Sequence, residues 1–469
     1  MAANESTRQA EGSRGGVPRA TMTAGQRRRI AAASVVGSVL EWYDFFLFGS
    51  SAALVFNKVF FTGESEFVAT LASFATFAVG FAARPVGGLI LAHFGDKIGR
   101  RPILMTTLVL MGLGTLLIGL LPTYDQIGFW APVLLVCLRI VQGLGVGAEL
   151  GGAYVWTTEA ATPTTRGFYA ALPGGGEFVG VVLAAGAMSL AASLPEEQFL
   201  SYGWRLPYIA SVVVAIAGLV LRYFTQESAM FQDAVAEGRK QSRPLQEVLR
   251  SHKRTVLLMI GAGAATAIAS YSIQGYLPAY TSQQLKLPAN TAVIAITVAS
   301  AISVVGVPFG GWLSDRVGRR PLMIGGGIAI AVFAVPFWLM VGTRSLPMIV
   351  LAVTIGFAII LNSMVFGPAG SFYSEQLPTE VRFSGLVLAR ETTAVVFSGT
   401  APFIATLLVH MAGGKPWILA GYMAASGLVT AACTYALAET APRALRRAAI
   451  RAGVNDDSVP IEVEYAEVR

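Results

Sequence analysis

The sequence predicts an all-α membrane protein with twelve transmembrane helices in two pseudo-symmetric six-helix halves. Composition points there first: 54% of the 469 residues are apolar and 13% are charged, about half the ~25% charge of a typical soluble domain. A mean hydropathy of +0.61 leaves more apolar surface than one soluble core can hide. Spacing comes second, because the charged residues cluster between long apolar runs. The third feature is a repeat. Gly95-Asp96-Lys97-Ile98-Gly99-Arg100-Arg101-Pro102 reappears as Ser314-Asp315-Arg316-Val317-Gly318-Arg319-Arg320-Pro321, its aspartates 219 positions apart (315 − 96). Each copy joins two apolar runs and reads as a short loop at a membrane face. Duplicated halves are the usual construction of alternating-access carriers.

Twelve runs reach the ~20 residues that cross a ~30 Å hydrocarbon core. They cover approximately 30–55, 67–93, 102–121, 131–157, 168–193, 206–225, 255–282, 290–313, 322–342, 347–373, 384–410 and 417–437. The first is longer than a signal-peptide core and eleven others follow it, so it is a retained span. Gly and Pro inside several runs are tolerated, since neighbouring helices re-satisfy the freed backbone groups. A membrane β-barrel would show ~10-residue alternating segments instead. Residues 1–29 then form a disordered cytoplasmic tail and 30–225 a six-helix bundle. Residues 226–253 form a cytoplasmic connector of amphipathic helix, containing Arg239, Lys240, Arg243 and Pro244. Residues 254–437 form the second bundle. Residues 438–469 form a cytoplasmic tail with an acidic, Pro-containing end and no sustained heptads.

Lys and Arg set the orientation. With both termini cytoplasmic, 25 of the 34 basic residues lie in cytoplasmic segments. Five (Lys58, Arg205, Lys286, Arg344, Lys415) lie outside and four (Arg84, Arg139, Arg222, Arg390) within spans. The net charge of +7 therefore reflects topology, and the scattered basic residues do not form a nucleic-acid surface. Cys137 and Cys433 sit within spans and read as small apolar side chains. His93, His252 and His410 are too dispersed for a metal site. No GxxxxGK[ST] loop is present to drive transport with ATP, and no Ser–His–Asp or Cys–His arrangement suggests an enzyme.

A second repeat supports the duplication. Glu159 precedes Arg166 by seven residues and Glu375 precedes Arg382 by seven, the pairs lying 216 apart (375 − 159). With the Asp-(Arg/Lys)-x-Gly-Arg-Arg loops, the chain resembles the major facilitator superfamily. Within it, Glu41-Trp42-Tyr43-Asp44-Phe45, Arg84-Pro85-Val86-Gly87-Gly88, Arg139-x-x-Gln142-Gly143 with Glu149, and Trp204-Arg205-x-Pro207 resemble the metabolite:proton symporters. The likeness spans residues 30–440. It implies a major facilitator fold in the plasma or inner membrane, acting as a monomer on a small molecule and protons. The proton gradient drives it, with no cofactor.

Ionisable groups at membrane depth cost about 2.5–3.5 kcal/mol each on insertion scales, so they need partners or a task. Glu41 and Asp44 lie roughly 17–21 Å into the first span and share a helix face at i, i+3. Either they carry the coupled proton or they pair structurally with a neighbouring arginine. Arg84 lies roughly 18 Å from Asp96 along the second span. A guanidinium there suits a carboxylate substrate, or else makes a permanent bridge to Glu41 or Asp44. Tyr43 and Gln142 join the substrate-binding candidates, as do Tyr271 and Gln274, which otherwise serve packing. Arg139 and Glu149 read as structural partners or gate elements. Glu177 and Arg390-Glu391 depart from the family's pattern. They pair across the cavity or redefine specificity, with surface charge the plainer reading of Arg390. Five acids against three deep arginines leave two unmatched negatives (5 − 3) unless Arg222 compensates.

The signature loops read as a gate. The resemblance implies that Asp96 meets the start of the eleventh helix when the cytoplasmic side closes. Arg100, Arg101, Glu159 and Arg166 complete that latch. Asp315, Arg319, Arg320, Glu375 and Arg382 are their counterparts. Ala92 stands where the family usually has glycine. The expected function is proton symport of a small organic anion. Alternatives are a proton-coupled carrier of proline or betaine, and a proton-antiport exporter of drugs or metabolites.

Overall fold

The computed structural model describes residues 22–62, 66–238, 243–288 and 290–451. The expected terminal tails fall largely outside these, as do Arg239 and Lys240. Among the described residues, twelve helices are long and apolar enough to cross a membrane. In chain order they are α1 (Ala24–Ser51), α2 (Glu66–Ile98), α3 (Arg100–Leu120), α4 (Trp130–Ala160), α5 (Arg166–Ala192) and α6 (Glu196–Tyr223). The second half holds α7 (Lys253–Gln284), α8 (Asn290–Val317), α9 (Arg319–Gly342), α10 (Leu346–Glu375), α11 (Arg382–Met411) and α12 (Trp417–Ala436). Large apolar side chains such as Leu190, Val213, Val305, Val332 and Phe403 are more than two-thirds exposed, which suits a lipid-facing surface.

Several boundaries shift from the sequence reading. α6 begins ten residues early (206 − 196), because Glu196–Gly203 forms helical and π turns that lead into it. The signature loops are tighter than expected. α2 continues through Asp96 to Ile98 and α3 starts at Arg100, so Gly99 alone is non-helical. Gly99 has φ +109° and its counterpart Gly318 has φ +114°, a backbone that residues with a Cβ rarely adopt. The connector is two short helices, Ala229–Ala236 and Pro244–Ser251, rather than one. A further helix, Pro442–Arg451, follows α12 within the expected C-terminal tail.

Packing repeats between halves. α3 packs on α6 and α9 on α12, while α1 lies along α5. The halves meet along two seams, α2 with α11 and α5 with α8. Small residues let these helices approach closely. A Cβ on Gly167 would come within 2.3 Å of the Gly311 carbonyl across the α5–α8 seam. In the α2–α11 seam, Ala92 is fully buried beside Phe383, Leu386 and Val387.

Candidate functional site

At the seam between halves lies a cluster of buried charges from four helices. Arg84 stands on α2 beside Pro85, its guanidinium 5.2 Å from the Phe81 ring centre. Arg84 Nη2 donates to Glu41 Oε1 on α1 at 3.3 Å. Arg390 on α11 reaches that same oxygen, Nη2 to Oε1 at 3.8 Å. Glu391 then spans both cations. Its Oε1 accepts from Arg390 Nη1 at 2.8 Å, and its Oε2 lies 3.7 Å from Arg84 Nε. Two guanidiniums from opposite halves thus share two bridging carboxylates. Glu41 and Glu391 are 1% and 2% exposed, whereas the Arg390 side chain keeps 22% of its surface open.

Glu177 on α5 faces this cluster, with Glu41, Arg390 and Arg84 within electrostatic reach and the Trp42 indole alongside. Its Oε1 is buried without a hydrogen-bond partner. The sequence offered a Glu177–Arg390 pair across the cavity. That ion pair is not made, because Arg390 turns to Glu391 and Glu41 instead.

Asp44 turns away from Glu41 into a second cluster. Its Oδ1 accepts from Thr115 Oγ1 (2.8 Å) and Gln142 Nε2 (2.7 Å), and its Oδ2 from Arg139 Nη1 (3.3 Å). Arg139 also lies 3.9 Å from the Phe48 ring centre. A cavity of about 20 Å³ between α1, α2 and α4 touches Glu41, Asp44, Arg84 and Arg139. That is room for about one water.

A third cluster pairs Glu149 with Arg222 of α6, with the Thr107 hydroxyl donating to Glu149 and Arg222 donating to the Leu104 carbonyl. Gly37 makes the space, since a Cβ there would overlap both charged side chains. Arg139 and Glu149 are therefore not each other's partners. With Arg222 counted, five acids face four arginines, a surplus of one (5 − 4). Asp44–Arg139 and Glu149–Arg222 balance, so the surplus falls on Glu41, Glu177 and Glu391 against Arg84 and Arg390.

Other candidates scatter. Tyr43 is 5% exposed and donates its hydroxyl to the Pro207 carbonyl at 2.7 Å, within its own half. Gln142 serves Asp44 rather than the central cluster. Tyr271 on α7 lies within reach of Arg84, Arg390, Glu177 and Glu391. Gln274 Nε2 donates to Ser270 Oγ at 2.7 Å, where α7 widens into a π turn over Ser272–Tyr276.

The signature loops form two closed latches. Asp96 accepts the backbone N–H groups of Phe383 (3.3 Å) and Ser384 (2.8 Å) at the start of α11. Asp315 accepts those of Gly167 (2.8 Å) and Phe168 (2.9 Å) at the start of α5. Each carboxylate thereby meets free N–H donors at the positive end of a helix in the opposite half. Arg100 adds bonds to Glu159 (3.1 Å) and the Thr379 carbonyl (2.7 Å). Arg319 joins Asp315 (3.1 Å) to Glu375 (3.0 Å).

Two expected latch assignments change. Arg166 does not join Glu159. That position belongs to Arg382 at 3.0 Å, while Arg166 approaches Glu375 at 4.0 Å. The arginine after each glutamate crosses to the other half's glutamate. Arg101 and Arg320 stay within their own halves. Arg101 donates to the Arg222 and Tyr223 carbonyls at the end of α6, and Arg320 lies over the Tyr435 ring of α12.

Sequence reasoning missed four latch residues. Glu227 accepts from Arg101 N (3.0 Å), and Ser228 Oγ donates to Glu159 (2.6 Å). Glu439 accepts from Arg319 N and Arg320 N (both 3.1 Å), and Thr440 Oγ1 donates to Glu375 (2.6 Å). Burial pushes the Glu227 carboxyl above its usual range, against the pull of those backbone donors. The signal was present: Glu-Ser and Glu-Thr lie 212 apart (439 − 227), near the offsets of the other repeats.

Twelve apolar helices in two halves, latched on one face and charged at the middle of the seam, have the architecture of a multi-pass membrane carrier. The chain belongs to the Major Facilitator Superfamily, whose family model matches residues 35–390. It is 37% identical to the shikimate transporter of Escherichia coli K12 over 414 residues, covering 88% of this chain and 94% of that one. The proline/betaine transporter of Escherichia coli K12 is 34% identical, covering 94% and 89%. The citrate-proton symporter of Klebsiella pneumoniae is 33% identical, covering 85% and 90%. The structure of the proton:xylose symporter XylE with 6-bromo-6-deoxy-D-glucose matches at TM-score 0.72 and 16% identity. That match covers 89% of this chain and 97% of the other, and shows the common fold.

Proposed function

We propose that this transporter imports a small organic anion with protons by alternating access across the inner membrane, both termini being cytoplasmic. The carrying observation is that Arg84 and Arg390, from opposite halves, both lie within 4 Å of Glu41 Oε1. Two guanidiniums converging at the seam can grip a carboxylate and sense the movement of one half against the other. The surplus acid beside them supports proton coupling, because an unmatched buried carboxylate is costly unless protonated. Glu41 and Asp44, linked by the water-sized cavity, are proposed to relay the coupled proton to and from the bridged cluster. The positive-inside bias puts the latched face in the cytoplasm, so the cytoplasmic side is closed in this state. A relative named a citrate-proton symporter fits the same reading.

The test is uptake into right-side-out and inverted vesicles of labelled shikimate, citrate, α-ketoglutarate, proline and betaine. Carboxylate accumulation that collapses with the proton gradient is expected. Uptake of proline or betaine alone would overturn the anion assignment, and gradient-driven extrusion would overturn import. Arg84→Gln should abolish carboxylate uptake while expression persists. Unchanged kinetics in that variant would remove Arg84 from the site.

A further inference from the structure

Glu391 makes the contacts that a substrate carboxylate would make. One of its oxygens lies on Arg390 (2.8 Å) and the other faces Arg84 (3.7 Å), across the seam between halves. Glu41, by contrast, is held closest by Arg84 in its own half. We propose that Glu391 is an internal substitute for the substrate carboxylate and takes up the co-transported proton when substrate displaces it. This rests on the anion reading above.

Charge conservation supplies the coupling. With Glu177, which pairs with neither arginine, held neutral, Arg84 and Arg390 balance Glu41 and Glu391, so a carboxylate entering alone would leave an extra buried negative charge. A proton from water on the open side bonds to a Glu391 oxygen, and the neutral acid lets go of both guanidiniums. The substrate carboxylate replaces it on Arg84 and Arg390. On the other side Glu391 returns its proton to water, bridges the arginines again and expels the anion. One proton then moves with each carboxylate bound in this bridge. The groups around Glu391 are Arg84 from α2, Glu41 from α1, Tyr271 from α7 and its neighbour Arg390, while Glu177 of α5 and Tyr154 of α4 face Glu41 and Arg390. Its 2% exposure keeps bulk water from replacing the bridge, while the 22% open Arg390 side chain gives a substrate its approach.

The experiment uses the full chain in proteoliposomes with whichever of shikimate, citrate or α-ketoglutarate it transports. For the wild type, KM should rise about tenfold per pH unit above the titration point, because protonation precedes binding. Glu391→Gln mimics the protonated acid permanently. Exchange should continue with an altered KM that no longer follows pH, and gradient-driven accumulation should be lost. Glu391→Asp should recover the pH dependence in part. Wild-type pH dependence or accumulation in Glu391→Gln would overturn the proposal, as would loss of exchange in a variant with unchanged thermal melting. An independent measurement uses the wild type alone: adding shikimate or citrate to detergent-solubilised carrier in weakly buffered solution. Proton uptake on binding is expected, and its absence sinks the inference whatever the variants do. Transport of none of the three carboxylates is a different result, which removes the anion reading itself.

Discussion

Asp44 and Arg139 illustrate what a buried charge requires of its neighbours. Asp44 takes three donors and Arg139 lies over the Phe48 ring, so each charge is met by groups of the protein itself. Asp44→Leu removes the carboxylate bonded to the buried Arg139 and should cost about 3–5 kcal/mol, read as a lower melting temperature in detergent. Adding Arg139→Met should recover most of that loss, since an apolar pair tolerates burial. A single variant as stable as the wild type would mean that Arg139 finds another partner. Legibility at this scale was uneven. Glu41, Asp44 and Arg84 stood out because charge in an apolar run is rare. The Arg84–Glu41 bridge was among the alternatives offered, but the other partners were not legible: Asp44 and Arg139 are 95 positions apart, and Arg84 and Glu391 lie on different halves.

The elements show why the signature loop has its composition. Gly99 and Gly318 permit a one-residue turn, which aims the last turn of α2 and of α8 at the opposite half. Aspartate is short enough to seat both oxygens on N–H groups at the start of α11 or α5. Asp96→Asn keeps one acceptor oxygen but loses the charge, and charge-assisted bonds contribute about 1.5–3 kcal/mol. Because the latch lies away from the central cluster, this variant should slow turnover more than it weakens substrate binding. Parallel binding and uptake measurements test that, and a loss confined to binding would contradict a gating role. The motif showed Asp96, Arg100, Asp315 and Arg319, but neither the supporting Glu227, Ser228, Glu439 and Thr440 nor the exchange of Arg166 and Arg382 between halves. That exchange depends on α5 lying against α8 and α2 against α11.

For the whole molecule, the latches and the central bridges hold the halves together at two depths. Weakening both latches with Asp96→Asn and Asp315→Asn should shift the population toward opening of the latched face. Leu386, 2% exposed in the α2–α11 seam, reports this as a cysteine in a chain with Cys137 and Cys433 replaced by alanine. An impermeant maleimide should label it roughly tenfold faster for each ~1.4 kcal/mol of latch energy lost. Equal labelling with intact and weakened latches would show that the seam opens by another route.

Sequence by itself determined the twelve spans, their grouping into repeated halves and the presence of charged latches. Hydropathy, Lys and Arg placement and repeated motifs are written locally along the chain, so they can be read without a fold. Tertiary structure decided which acid meets which arginine. It sent Asp44 to Arg139, gave Glu149 to Arg222, and left Glu41, Glu177 and Glu391 sharing Arg84 and Arg390. Those choices depend on the order and rotation of packed helices far apart in sequence. The position of the surplus acid, on which the proposed proton coupling rests, follows from that packing.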